Sequence, residues 1–286
     1  MKKYFVTSDT HGFTTILKNS LESKGFDISN PNHLLIICGD LFDRGPEAVA
    51  MYEFVKSLGV RFTYVRGNHE DLLEDCVHEM ETGLSISSYH HSNKTVDTVN
   101  QFLENIYGEK YIKLKHDAFE SYIKSNYENK DALDEYFKPI HEILNWINKK
   151  SVNYFELSNY IFVHGGLPKI PNDNITYRWN GIAREGGRFN PDWRNADDFS
   201  WREARWLNGM EEWKGYGMEE LNKTIVVGHY HCSYGHSYIE QKYKEFPPKS
   251  KKGWEKSFEP FIADGICAID ACTAYSGLMN VLVIEE

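Results

Sequence analysis

Acidic and imidazole side chains recur in this chain at short spacings, each group flanked by glycine. Asp9 and His11 stand two apart in Asp9-Thr10-His11-Gly12. Gly39-Asp40-Leu41-Phe42-Asp43-Arg44-Gly45 sets two carboxylates beside a guanidinium. Gly67-Asn68-His69-Glu70, His164-Gly165-Gly166 and Gly228-His229-Tyr230-His231 add an amide and four more imidazoles. Oxygen and imidazole donors without a thiolate suit Mn²⁺, Fe, Zn²⁺ or Mg²⁺. In an extended segment residues i and i+2 point the same way. Asp9 and His11 are therefore expected to reach one ion together, and His229 and His231 share that spacing. An arginine fork beside such a centre matches two phosphate oxygens.

These groups all follow short apolar runs, at 4–6, 34–38, 62–65, 160–163 and 224–227. Each run predicts a strand buried on both faces. Helix-length segments at 13–24 and 46–58 separate the first three, which indicates α/β architecture. In open α/β sheets ligands bind beyond the carboxyl ends of the strands, so the five strand ends are expected to converge. Residues 71–150, rich in Glu, Lys, Tyr and Leu, predict a helical insert. Residues 168–222 hold five of the seven Trp and predict a long irregular excursion. Residues 242–256 predict a basic, solvated surface loop, and 266–270 and 277–284 two last strands. Without an internal repeat or a long linker, one domain over 1–286 is expected.

Composition narrows the function. The 286 residues are 41% apolar and 26% charged, which fits a globular protein with a sizeable core. The formal charge of −10 disfavours long nucleic acid and anionic membranes as partners. Five cysteines, none in a Cys-x-x-Cys pair, argue against a disulfide framework and a thiolate zinc site. No signal-peptide core or membrane-length apolar run is present, so the cytoplasm is the expected compartment. The oligomeric state has no signature in the sequence.

Chance gives Gly-Asn-His-Glu about 0.006 times in a chain of this composition. The ordered series DTHG, GDLFDRG, GNHE, HGG and GHYH resembles the calcineurin-like metallophosphoesterases. Within them it is most similar to the branch of serine/threonine phosphoprotein phosphatases and symmetrical diadenosine tetraphosphatases. The resemblance spans residues 9–231, with AIDACTAYSG at 268–277 looking like that branch's closing strand pair.

It implies a sandwich of two mixed β-sheets flanked by helices, with a site for two divalent metal ions, manganese first among them. Asp9, His11 and His231 would hold one ion, Asn68, His164 and His229 the other, and Asp40 would bridge both. A water activated between ions about 4 Å apart would attack phosphorus. Arg44, Asn68 and a later arginine, Arg202 or else Arg205, would bind the phosphate. His69 would protonate the leaving oxygen, kept cationic by Asp43.

The implied activity is hydrolysis of phosphate monoesters, of the phosphoprotein (Ser/Thr) type. Symmetrical dinucleoside polyphosphate hydrolysis is the first alternative, and a catalytically silent metal-binding interaction module the second. The partner is a phosphorylated substrate, protein or nucleotide. Ordinary readings are expected elsewhere. His33, His78, His90, His91, His116, His141 and His236 read as core or surface residues. Glu70 reads as an acid in the first turn of a helix. The tryptophans of 179–213 read as packing, and Asp270 as either a strand-end cap or an orienting group.

Overall fold

The computed structural model describes residues 1–82, 86–179, 182–241 and 255–286. Most of the expected basic loop at 242–256 lies outside these residues. Two five-stranded mixed sheets make the centre of the protein. The first contains β1 (Lys3–Thr7), β2 (His33–Cys38), β3 (Phe62–Val65) and β4 (Ser151–Val152), parallel and in that order. The second contains β5 (Phe155–Glu156), β6 (Tyr160–Phe162), β9 (Thr224–Val227), β11 (Ile266–Ala268) and β10 (Phe261–Ala263), with parallel pairs at its middle. The chain's last strand, β12 (Leu282–Glu285), returns to pair antiparallel with β1.

Period-two alternation explains why the sheets stack. In β1, Phe5 points outward to helices, while Tyr4 and Val6 point to the other sheet. In β2, Leu35 and Ile37 face outward and Ile36 and Cys38 inward. β9 repeats the pattern, with Ile225 and Val227 outward and Val226 inward. The inward side chains form the apolar layer between the sheets. Both faces of the strands are apolar because both are covered.

The outer face of the first sheet is covered by α1 (Thr14–Ser23), α2 (Ala48–Ser57), α3 (Asn68–Thr82), α5 (Thr95–Tyr107) and α7 (Asp131–Lys150). A short α4 (Ser88–Ser92) and α6 (Tyr111–Lys124) complete the helical stretch expected at 71–150. The 168–222 stretch is more regular than expected. It holds the antiparallel pair β7 (Lys169–Trp179) and β8 (Ile182–Phe189), then α8 (Asp198–Ala204) and α9 (Gly209–Tyr216). Asp197 and Asn208 cap the two helices by accepting from the Ser200 and Glu211 N–H groups. Trp193 and Trp201 are buried against the second sheet, as the packing reading expects. The final strand is shorter than 277–284, because α10 (Thr273–Ser276) and a loop precede it. Among the described residues no helix is long and apolar enough to cross a membrane.

Candidate metal centre

The five glycine-flanked groups follow the carboxyl ends of β1, β2, β3, β6 and β9, which lie side by side in their two sheets. The backbone there is not extended. Asp9, His11, Asp40, Asp43, Arg44 and His229 all have φ between 46° and 71°. They are half of the described non-glycine residues with positive φ. Such conformations cost about 1–3 kcal/mol each and persist where the surroundings dictate them. The expectation that Asp9 and His11 share an extended i, i+2 geometry is therefore corrected: each is presented from a left-handed turn.

Two glycines leave room for the ligands. A Cβ on Gly39, which has φ +85°, would lie 2.2 Å from His164 Nδ1. One on Gly67 would lie 2.1 Å from Asp40 Oδ1. No side chain fits at either position without displacing a buried donor atom.

Asp40 sits between two groups of ligating atoms. Its Oδ2 lies 3.7 Å from His11 Nε2 and 3.9 Å from His69 Nε2. Its Oδ1 lies 3.3 Å from His164 Nε2, and His229 belongs to this second group. His11 Nδ1 donates to the Phe42 carbonyl at 2.9 Å, and His164 Nδ1 to the Cys38 carbonyl at 2.8 Å. Each Nε2 lone pair therefore faces inward, the tautomer a metal ligand requires. His164 Nε2 meets Asn68 Oδ1 at 2.8 Å. Two acceptors at that distance, with a carboxylate beside them, form a donor set that a cation satisfies.

Asp9 and His231 flank these groups without joining either. The Asp9 carboxylate accepts from the His229 N–H at 3.0 Å, and His231 Nδ1 bonds the Ser233 hydroxyl.

Electrostatics point the same way. Burial, then the neighbouring Asp270, pushes the Asp9 carboxyl well up, and burial with Asp9 and Glu70 does so for Asp40. Burial pulls His11 and His229 well down and His164 to about 4. Neutral imidazoles around carboxylates that resist ionisation are what a buried cluster without countercharge gives. Divalent cations would supply that charge, so the residues fit a metal centre.

His69 is held from both ends. Its Nδ1 lies 2.7 Å from Asp43 Oδ2 and its Nε2 3.1 Å from Arg44 Nη2. Asp43 also accepts from the Thr95 hydroxyl at 2.8 Å, and its own N–H donates to Thr98 Oγ1 at 3.0 Å. Burial still raises the Asp43 carboxyl to about 7 against these bonds. His69 departs from the expected cation: burial, with Arg44 and His164 beside it, pulls it well below the usual range.

Sequence reasoning undervalued Glu70, left the role of Asp270 open and missed three residues of α5. Glu70 is fully buried and accepts from three N–H groups, Gly67 at 2.8 Å, Leu41 at 3.0 Å and Asp40 at 3.1 Å. It thus ties the loop after β2 to the loop after β3, beyond any dipole role. Thr95, Thr98 and Gln101 line one side of α5 and hold Asp43, Gly45 and Ala48. Their i, i+3, i+6 spacing was the only available signal. Asp270, raised to about 6 by burial, lies close enough to act on Asp9 and lines the mouth of the centre.

The expectation for Arg202 is not met by its position. Its guanidinium pairs with Asp75 at 2.6 Å in a different cleft, because α8 turns it away from the metal-centre mouth. Arg205 is buried against Asp71 and Asn153, at 2.8 Å and 2.6 Å. Arg44, by contrast, is exposed at the mouth beside His229 and His231.

Comparison with known proteins adds to this geometry. A family profile described as calcineurin-like phosphoesterase matches residues 2–260. A symmetrical bis(5'-nucleosyl)-tetraphosphatase of Buchnera aphidicola subsp. Baizongia pistaciae is 39% identical over 70 residues, 24% of either chain. One of Proteus mirabilis is 32% identical over 99 residues, 35% of this chain and 32% of that one. The chain thus spans about a third or less of these curated relatives. A solved cold-active protein tyrosine phosphatase aligns over the whole chain and 74% of its own, with 15% identity and a TM-score of 0.47.

Proposed function

The chain belongs to the calcineurin-like phosphoesterase family, and we propose that it hydrolyses phosphate monoesters, of the phosphoprotein type, with two divalent ions. Asp9, His11, Asp40 and His231 would hold one ion, and Asp40, Asn68, His164 and His229 the other. Manganese is the first candidate, with iron, zinc and magnesium as alternatives. Ions held there would polarise phosphoryl oxygens and lower the pKa of water.

The protein's own residues do the rest. Arg44 is exposed at the mouth and offers its fork to the phosphate, with the Asn68 amide as a second donor. His69 Nε2 stands within the first group of possible ligating atoms, but Arg44 donates to it and Asp43 holds Nδ1, which suits the ring to proton transfer rather than to an ion. Asp43 is raised and His69 lowered, so near neutrality the pair is suited to hold one proton between them. An arriving phosphate dianion draws Arg44 off His69 Nε2 and favours uptake of a solvent proton there, which the ring, held through Nδ1 on Asp43, then delivers to the leaving oxygen.

The observation that carries this reading is Asp40, whose two oxygens face separate histidine groups while His69 stands beside it on Asp43. A second reading, cleavage of a dinucleoside tetraphosphate, is favoured by the names of the curated relatives. Turnover of p-nitrophenyl phosphate by the Mn²⁺-loaded protein tests the proposal. Asp40→Asn should remove at least a thousandfold of it and lower bound manganese, and full retained activity would overturn the bridging role. A cytoplasmic location is proposed with it; fractionation of expressing cells checks that.

A further inference from the structure

The mouth of the metal centre is a cavity of about 530 Å³. Among the described residues that line it, Arg44 is the only arginine or lysine. Glu211, exposed on the first turn of α9, and the buried Asp270 also line it. Glu212, also at the rim, is paired with Lys169 at 2.8 Å.

Much of the remaining wall is aromatic. Trp206, just beyond α8, is half-buried with its ring 5.8 Å from that of His229 and nearly perpendicular to it. Tyr89 of α4 continues the surface, its ring 6.3 Å from Trp206 and 44% exposed. Tyr230, following His229, adds a third ring on the mouth. Trp206 differs in this from Trp193 and Trp201, which are consumed by packing. Tyr230 packs in part on the second-sheet core, while Trp206 and Tyr89 keep part of their rings open on the mouth directly beside His229.

Resting on the phosphomonoesterase reading above, we infer that this wall is a leaving-group subsite for a planar aromatic ring, and that the preferred substrate is a single phosphate monoester bearing one. Stacking on Trp206 and Tyr89 supplies affinity that an aliphatic phosphoserine or glycerol phosphate cannot gain. The ring is that of a phosphotyrosyl side chain or of a nucleotide base. Glu211 and Asp270 oppose a second phosphate group travelling outward from the centre.

The test separates binding from turnover. Phenylphosphonate and methylphosphonate cannot be hydrolysed, and calorimetry on the Mn²⁺-loaded protein compares their affinities. The wall predicts roughly tenfold tighter binding of phenylphosphonate. That preference should collapse in Trp206→Leu and shrink in Tyr89→Leu, whose exposed site tolerates change. Equal affinities in the wild-type protein would overturn the subsite while leaving hydrolysis of monoesters standing. A persistent preference without turnover of any ester would retain the subsite and overturn the enzymatic reading.

In turnover, the kcat/KM ratio of phenyl to propyl phosphate should fall roughly tenfold in the variants relative to wild type. Intrinsic leaving-group reactivity cancels in that comparison. A phosphotyrosyl peptide and AMP, each against a phosphoserine peptide, identify the source of the ring. Preference for diadenosine tetraphosphate over every monoester would overturn the single-phosphate assignment.

Discussion

Removing the Glu70 side chain should both destabilise the fold and loosen the metal centre, and the size of the effect decides what Glu70 does. A buried N–H left without a partner costs about 1–3 kcal/mol. Glu70→Ala strands three, those of Gly67, Leu41 and Asp40. Two offsets reduce the sum. The variant no longer buries a carboxyl that burial has pushed above its usual pKa. The vacated space also admits a water able to satisfy some of the donors. A net loss of about 3 kcal/mol is expected, against about 0.3–1 kcal/mol for an acid acting only on the α3 dipole. Glu70→Gln keeps one acceptor oxygen but turns an amide N–H toward a backbone donor, so about 2 kcal/mol is expected. Urea unfolding in metal-free buffer measures both variants. Manganese titration should show affinity weakened about 10–100-fold in Glu70→Ala, since the Asp40 loop loses its anchor. A loss below about 1 kcal/mol with unchanged manganese affinity would refute the clamp and leave the dipole reading sufficient.

Gly39→Ala should cost about 2–4 kcal/mol by thermal or urea unfolding, because a left-handed residue gains a Cβ in contact with His164. Activity should fall at least about a hundredfold with it, since His164 must shift. Asp43 carries a pH signature in the metal-free protein. Its carboxyl is raised from 3.8 to about 7, so the stability it contributes is complete below about pH 4 and lost as pH rises through about 7. The stability of wild type minus that of Asp43→Asn should therefore decline over this window, by up to about 4 kcal/mol, in urea titrations at stepped pH. A flat difference would place the Asp43 carboxyl near its ordinary value. Arg202→Ala should leave kcat/KM within about twofold, because its guanidinium pairs with Asp75 outside the mouth; steady-state kinetics on p-nitrophenyl phosphate measures it.

What the sequence revealed and what it concealed divide along physical lines. The strands were legible because Leu35, Ile36, Ile37 and Cys38 need apolar neighbours on both faces, which leaves a continuous apolar run. The meeting of Asp40, His164 and His229 was legible because polar groups stand just past such runs. The turn conformations of Asp9 and His11 were not, since either residue is compatible with an extended or a left-handed backbone. The contact of Thr95 with Asp43 spans 52 positions and involves a common residue type, so the spacing of Thr95, Thr98 and Gln101 could not say what they hold. Glu70 was hidden by a simpler explanation, as an acid opening a helix already has a reason to be there. Arg202 misled for the opposite reason: its sequence position was suggestive, but the direction of α8 determines where its side chain goes.

The positive φ values at Asp9, Asp40 and Asp43 have a consequence for how this protein can change. Asparagine and glycine occupy that conformation more readily than aspartate does in a buried, charge-poor setting. Either replacement also removes a carboxyl that the surrounding interior resists ionising. A lineage or a laboratory library selected for thermal endurance alone would thus be drawn to these positions first, and would abandon catalysis there while keeping the fold. Inert descendants of this scaffold should be recognisable by Asn or Gly at 9, 40 and 43 and by melting temperatures above that of the metal-free parent.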